Sequence, residues 1–113
     1  MDSLITIKIK DLLIVEMSRE EGAIVRSLIL QLWNQCENIV LDFKDVTFAS
    51  ISFLDQAIAK IFLDKPSNEV FAKLKIVEIT ETKRNFLISM ASSRNKQYIK
   101  NKKEKANLEH ISR

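Results

Sequence analysis

Ile39-Val40-Leu41-Asp42-Phe43-Lys44-Asp45-Val46-Thr47-Phe48-Ala49-Ser50-Ile51-Ser52-Phe53-Leu54-Asp55-Gln56-Ala57-Ile58-Ala59-Lys60-Ile61-Phe62 is the stretch whose reading decides the fold. Ile39 to Phe43 is nearly all apolar over a strand's length, as expected of a parallel strand with both faces covered. A short Lys-Asp-Val connection follows, then a second apolar piece and two serines opening a helix. The helix is read over 53–63, with Leu54, Ala57, Ile58, Ile61 and Phe62 recurring on one side. A buried strand feeding directly into an amphipathic helix is the building block of mixed α/β domains.

Upstream, residues 4–9 alternate apolar with polar side chains and are rich in β-branched residues, the period of a half-buried strand. Residues 12–17 continue the β character, with Lys10-Asp11 either turning between two strands or interrupting one. Ser18-Arg19-Glu20-Glu21 is a capping-box start: the Ser18 hydroxyl can accept from the amide three residues on, and Glu21 can reach back. Val25, Leu28, Ile29, Leu32 and Cys36 then mark one face of a helix over 19–36. Gly22 inside it costs up to about 1 kcal/mol against alanine.

Downstream, Asp64-Lys65-Pro66-Ser67-Asn68 is the strongest break in the chain. A third strand is read over 74–79, and a helix over 82–98 with Phe86, Leu87, Met90 and Ala91 as its buried side. The periodicity fades after Tyr98. The element order predicts an α/β (α+β) domain, a small and mainly parallel sheet with about three helices, over residues 1–95. Residues 96–113 are expected as a basic C-terminal helical extension or tail. The expected core includes Ile7, Val25, Leu28, Leu32, Val40, Leu41, Phe43, Leu54, Ile58, Ile61, Ile76, Ile79, Leu87 and Met90.

Composition narrows the function classes. The 113 residues are 46% apolar and 29% charged, with one Gly, one Pro and one Cys. That apolar share supports a packed core and excludes disordered or collagen-like chains. The apolar runs are too short to span a bilayer, and no basic segment leads into a long apolar core at the N-terminus. The expectation is a soluble, cytoplasmic, single-domain protein with no membrane association. One cysteine makes no internal disulfide and no zinc site. One glycine excludes a phosphate-cradling loop or a dinucleotide fingerprint, so no cofactor is expected.

The net charge of +3 conceals a division. Residues 1–93 hold 11 basic and 13 acidic side chains, a net of −2, whereas residues 94–113 hold 7 basic and 2 acidic, a net of +5. The tail is expected as a solvated face, with electrostatic contact to nucleic acid or to an acidic partner as the alternative, which would make the chain a small nucleic-acid-associated or antitoxin-like protein. Tyr98 is the sole aromatic there, too few for a stacking single-strand binder.

No catalytic constellation emerges. Asp42 and Asp45, three apart at a strand end, read as turn acceptors and solvated charges rather than metal ligands. Ser50, Ser52 and His110 do not assemble into nucleophile and base, because the only histidine lies in the polar tail. Cys36 reads as a buried, inert thiol and Trp33 as the seal of a core edge. Ser52 is the expected N-cap of the second helix, with Asp55 near its start, and Ser50 a turn hydroxyl.

Asp42-Phe43-Lys44-Asp45-Val46 followed by Ser50-Ile51-Ser52-Phe53-Leu54-Asp55 resembles the STAS-like domains of unknown function, whose corresponding stretch runs Asp-Phe-x-x-Val … Ser-x-Ser-Phe-Leu-Asp. The Ser18-Arg19-Glu20 helix start fits the same group, and the resemblance extends over residues 4–95. It implies a STAS fold and a non-enzymatic, bacterial regulatory module working through protein–protein contact. The implied partner is a histidine-kinase-like ATPase or a regulator held by one, with homodimerisation left open. The implied surface comprises Ser50, Ser52 and the exposed side of the second helix, Asp55, Gln56 and Lys60. In the related anti-sigma factor antagonists an Asp-Ser-Ser-Gly-type motif is phosphorylated on its second serine. Here Ser50 stands for the aspartate, Ile51 for the first serine, Ser52 for the phosphoacceptor and Phe53 for the glycine. Only the acceptor serine is kept, so the resemblance supports the fold and an interaction role better than phosphorylation.

Overall fold

β2 (Asn38–Asp42) is the middle strand of a three-stranded, all-parallel sheet ordered β1-β2-β3, with β1 at Leu4–Lys8 and β3 at Leu74–Val77. The computed structural model describes residues 3–12 and 17–111, with side chains described as far as Asn107. The strand expected over 12–17 falls mostly on residues 13–16, outside the described residues. The expected α/β architecture is found, with a small parallel sheet and helices packed against it.

Register sets the two faces of the sheet. Ile5 pairs with Ile39 and Ile39 with Leu74; Ile7 pairs with Leu41 and Leu41 with Ile76. Because side chains alternate along a strand, these six share one face, and they join the hydrophobic core. The opposite face carries Leu4, Thr6, Lys8, Lys75 and Val77, all exposed, with Asn38, Val40 and Asp42 half-buried at its centre. The expectation that both faces of Ile39–Phe43 are covered is therefore corrected. Among the described residues only one face is packed, and Val40 gives the strand its unbroken apolar look.

α1 (Arg19–Leu32) opens on the capping box as expected: the Glu21 amide donates to Ser18 Oγ at 3.2 Å, and the Ser18 amide donates to Glu21 Oε1 at 3.1 Å. It ends earlier than its apolar stripe suggests, at Leu32. Lys73 Nζ donates to the carbonyls of Trp33 and Cys36, 2.5 Å to each, satisfying acceptors that the helix leaves open. Trp33 is fully buried rather than at a core edge; its indole N–H donates to Glu69 and its ring lies beneath Lys65 and Lys73. Cys36 is buried, as expected.

The second helical rod begins at α2 (Ile51–Leu54), widens into a π-helical stretch at Asp55–Ala59 and resumes as α3 (Ile61–Asp64). It packs against α1 closely enough to explain Gly22. A Cβ there would lie 2.7 Å from the Phe53 carbonyl oxygen and 2.9 Å from Gln56 Cβ. Where the sequence suggested only a break, Pro66 precedes a short helix, α4 (Ser67–Lys73), which buries Val70. β3 stops at Val77 because Glu78 turns the backbone into the left-handed region, φ 61°. α5 (Glu81–Ile111) is a single helix of 31 residues that continues through the lysine-rich tail.

Of the expected core, Ile7, Val25, Leu41, Phe43, Leu54, Ile58, Ile61 and Leu87 are buried. Leu28, Leu32, Ile76, Ile79 and Met90 pack partly buried against them, and Val40 lies on the open face.

Candidate functional site

The connection from β2 to α2 is built by short polar side chains. Asp42 Oδ1 accepts from the Lys44 amide at 2.9 Å, folding the chain back at the strand end. Asp45 sits at φ 63°, a conformation that Asp tolerates better than most residues, and pairs with Lys10 at 3.3 Å on the surface. Both aspartates thus act as turn acceptor and solvated charge. Among the described residues no group of His, Cys, Asp and Glu is arranged to hold a metal ion.

Ser50, not Ser52, caps the helix. Ser50 has extended backbone (φ −68°, ψ 157°), and its Oγ accepts from the Phe53 amide at 3.0 Å. The same hydroxyl donates to the Met17 carbonyl at 2.8 Å. That contact ties the helix start to the segment ahead of α1, where Met17 itself is held at φ 52°. Ser52 lies one residue inside the helix and is exposed. The misleading signal is Ser52-Phe53-Leu54-Asp55, which has the Ser-x-x-acid spacing of a capping box. Asp55 is engaged elsewhere: it receives Arg94 of α5 in a two-pronged ion pair, Nη2 to Oδ2 at 2.6 Å and Nε to Oδ1 at 3.2 Å. The hydrogen bond from Arg94 to this carboxylate raises the guanidinium's pKa further above its ordinary value. The fork geometry fixes α5 against the second rod.

Gln56 is corrected from exposed to buried, with 6% of its surface accessible. Its side-chain Oε1 accepts from Arg26 Nη1 at 3.2 Å, and its backbone carbonyl accepts from the same nitrogen. The π-helical turn makes that carbonyl available: the Lys60 amide reaches five residues back, to Asp55, instead of four back to Gln56. Lys60 is half-buried at the end of that stretch. Asp55, Gln56 and Lys60 therefore do not form one exposed side of the second helix: Asp55 is paired with α5, Gln56 with α1, and Lys60 is half-buried.

What this end of the molecule does expose is apolar. Phe48 is 64% and Ile51 47% accessible, on either side of Ser50 and next to Ser52. Lys83 Nζ, in the first turn of α5, lies 5.9 Å from the Phe48 ring centre, and Phe86 one turn further on, expected on the buried side of its helix, is instead exposed. Phe48 and Ile51 had a legible signal, since apolar residues flanking a turn serine break the polar pattern of a connection. A groove of about 160 Å³ runs elsewhere, between α4, β3 and α5, lined by Phe62, Phe71, Leu87 and Ile88. Its one charged member, Arg84, donates to the Ile76 carbonyl. Among the described residues every buried side-chain nitrogen and oxygen has a hydrogen-bond partner, so no orphaned polar atom points to a missing ligand. No described helix is long and apolar enough to cross a membrane.

A family model described as a STAS-like domain of unknown function (DUF4325) matches residues 21–84, more than half of the chain. The match begins within α1, takes in the Ser50–Ser52 helix start and ends in the first turn of α5. No curated protein and no solved structure matches the chain.

Proposed function

This chain belongs to the family of STAS-like domains of unknown function, and from that premise we propose that it is a non-enzymatic regulatory module that binds another protein through the start of α2. The observation that carries the reading is the division of labour at that helix start. Ser50, Asp55 and Gln56 are all turned inward to capping and interhelical bonds, while Phe48, Ile51 and Ser52 are left facing solvent. Two large apolar side chains beside an exposed hydroxyl are a surface for a partner and hold no base or nucleophile pair for catalysis. The partner class, following the resemblance, is a histidine-kinase-like ATPase or a regulator held by one, in the cytoplasm of a bacterial cell.

The test is affinity capture with the full chain as bait, beside a Phe48→Ser/Ile51→Ser double variant of unchanged fold. Recovery of an ATPase of that class by the parent and its loss by the variant is the expected result. Equal recovery by both would move the binding surface elsewhere. A second substitution addresses regulation. Ser52→Asp adds charge at the favourable end of the helix dipole, so binding is expected to follow stability. Weakened binding at unchanged stability would instead make Ser52 a regulated phosphoacceptor, because a phosphate brings about −2 charge to an interface fitted to a neutral hydroxyl.

A further inference from the structure

The distal half of α5 leaves the body of the protein. Among the described residues the last buried side chain on the helix is Ala91, and Arg94 makes the last ion pair to the body. From Lys96 to Asn107 every side chain is exposed except the half-buried Tyr98. At about 1.5 Å per residue these twelve residues reach roughly 18 Å along the helix. They carry Lys96, Lys100, Lys102, Lys103 and Lys105 against Glu104 alone, a net of +4. Among the described residues none of the five lysines pairs with a carboxylate. Lysines at i,i+4 and i,i+3 along one helix repel one another, and Glu104 is the one acidic side chain between Lys96 and Asn107 to offset it.

Helical geometry sorts these charges into two rows. At about 100° per residue, Lys96, Lys100 and Lys103 fall on one side, and Lys102 and Lys105 fall on roughly the opposite side. A bare helix with cations along both flanks matches a groove whose two walls are both anionic. The major groove of B-form DNA is about 12 Å wide, which admits one α-helix with a phosphate strand on either hand. The A-form major groove is too narrow for this. A membrane surface is disfavoured because Tyr98 and Ile99 are the only large apolar residues in the stretch and give no apolar face. Single strands lack stacking partners, since the one aromatic ring, Tyr98, is covered by Lys102 at 5.8 Å. An acidic protein surface is disfavoured because the segment holds no arginine and its one aromatic, Tyr98, is half-buried and covered by Lys102, which leaves no free anchor.

We propose that the projecting half of α5 lies in the major groove of duplex DNA and contacts its phosphates through these two lysine rows, without reading sequence. The inference is independent of the protein-binding role of the α2 start and uses different residues. The experiment titrates the full chain against a fluorescent 24-base-pair duplex by anisotropy, over about 50–300 mM KCl. Three to five phosphate contacts correspond to a slope of log K against log salt of about −3 to −4.5. Lys96→Gln/Lys100→Gln/Lys103→Gln is expected to weaken binding at least about tenfold and to flatten the slope by about 2.7. A charge-matched control, Lys8→Gln/Lys44→Gln/Lys75→Gln, removes three cations from the body and should leave the slope within about one of the parent. Circular dichroism checks that each variant keeps its helix content. Absence of binding at 50 mM salt, equal loss in the control, preference for the single strand, or tighter binding to anionic vesicles would each overturn the proposal.

Discussion

Gly22→Ala sets local propensity directly against packing. In an isolated helix the substitution is favourable by up to about 1 kcal/mol, because glycine loses more backbone freedom than alanine on folding. In this fold the new methyl would sit 2.7 Å from the Phe53 carbonyl oxygen, 2.9 Å from Gln56 Cβ and 3.3 Å from the Ala57 amide nitrogen. Two of those three atoms are backbone, so the clash is not relieved by turning a side chain aside; α1 and the second rod must separate. Separation also stretches the bonds from Arg26 to Gln56, which cross the same junction. Overpacking of this kind costs about 1–3 kcal/mol. Against a propensity gain of about 1 kcal/mol, the middle of that range leaves a net loss of about 1 kcal/mol. For a domain of this size that lowers the melting temperature by about 4 °C. Urea unfolding should show a lower midpoint at unchanged slope. Ser27→Ala, on the exposed side of the same helix, supplies the propensity control and should be neutral within about 0.5 kcal/mol or slightly stabilising. A Gly22→Ala protein as stable as the parent or more so would refute the close approach of α1 to the second rod.

The two serines at the α2 start are expected to separate cleanly. Ser50→Ala removes a cap and a bond to Met17 and should lower unfolding stability by about 1–2 kcal/mol, whereas Ser52→Ala should stay within about 0.5 kcal/mol, as measured by urea titration. The reverse ranking would return the cap to Ser52. Lys73→Met keeps the aliphatic stem but strips the ammonium from the Trp33 and Cys36 carbonyls; a loss of about 1.5–3 kcal/mol is expected from charge-assisted bonds at a half-buried site. Tryptophan fluorescence should shift at the same time, because Lys73 also lies 5.6 Å from the Trp33 ring centre. An unchanged spectrum with unchanged stability would mean that the C-terminal end of α1 is satisfied by water instead.

The legible parts of this chain were those fixed by local pattern. The capping box at Ser18 and Glu21 needs only four residues to form, and the alternation of Ile5 and Ile7 fixes which side of β1 is buried whatever its neighbours do. The core of the second rod was legible because Leu54, Ala57, Ile58 and Ile61 sit on one face even after the π-helical turn inserts its extra residue. The errors came where a residue's role depends on something far away in sequence. Asp55 has the spacing of a capping acid, but Arg94, 39 residues on, outcompetes a backbone amide for it because the guanidinium brings a full charge and two parallel bonds. Gln56 is polar and sits in a polar-looking patch, yet Arg26, 30 residues earlier, satisfies it and allows its burial. Gly22 was read as a defect, although its missing side chain is what lets two helices touch.

The same distinction governs the candidate site. Sequence alone located the start of the second helix, since two serines after a buried strand mark a helix start under any packing. It placed Asp55, Gln56 and Lys60 on an exposed side, whereas Gln56 is buried and Asp55 and Lys60 are half-buried. Tertiary partners on α1 and α5 take up two of those three polar side chains, and exclusion from these bonds leaves Ser52 with Phe48 and Ile51 as the exposed group. A helix start whose inward hydroxyl and acid are both engaged is rigid, so substitutions at the three exposed positions can change binding without changing the fold. Substitutions at Ser50, Asp55 or Gln56 would be read through stability first. That asymmetry makes Phe48, Ile51 and Ser52 the positions at which a loss of partner binding can be assigned to the surface itself.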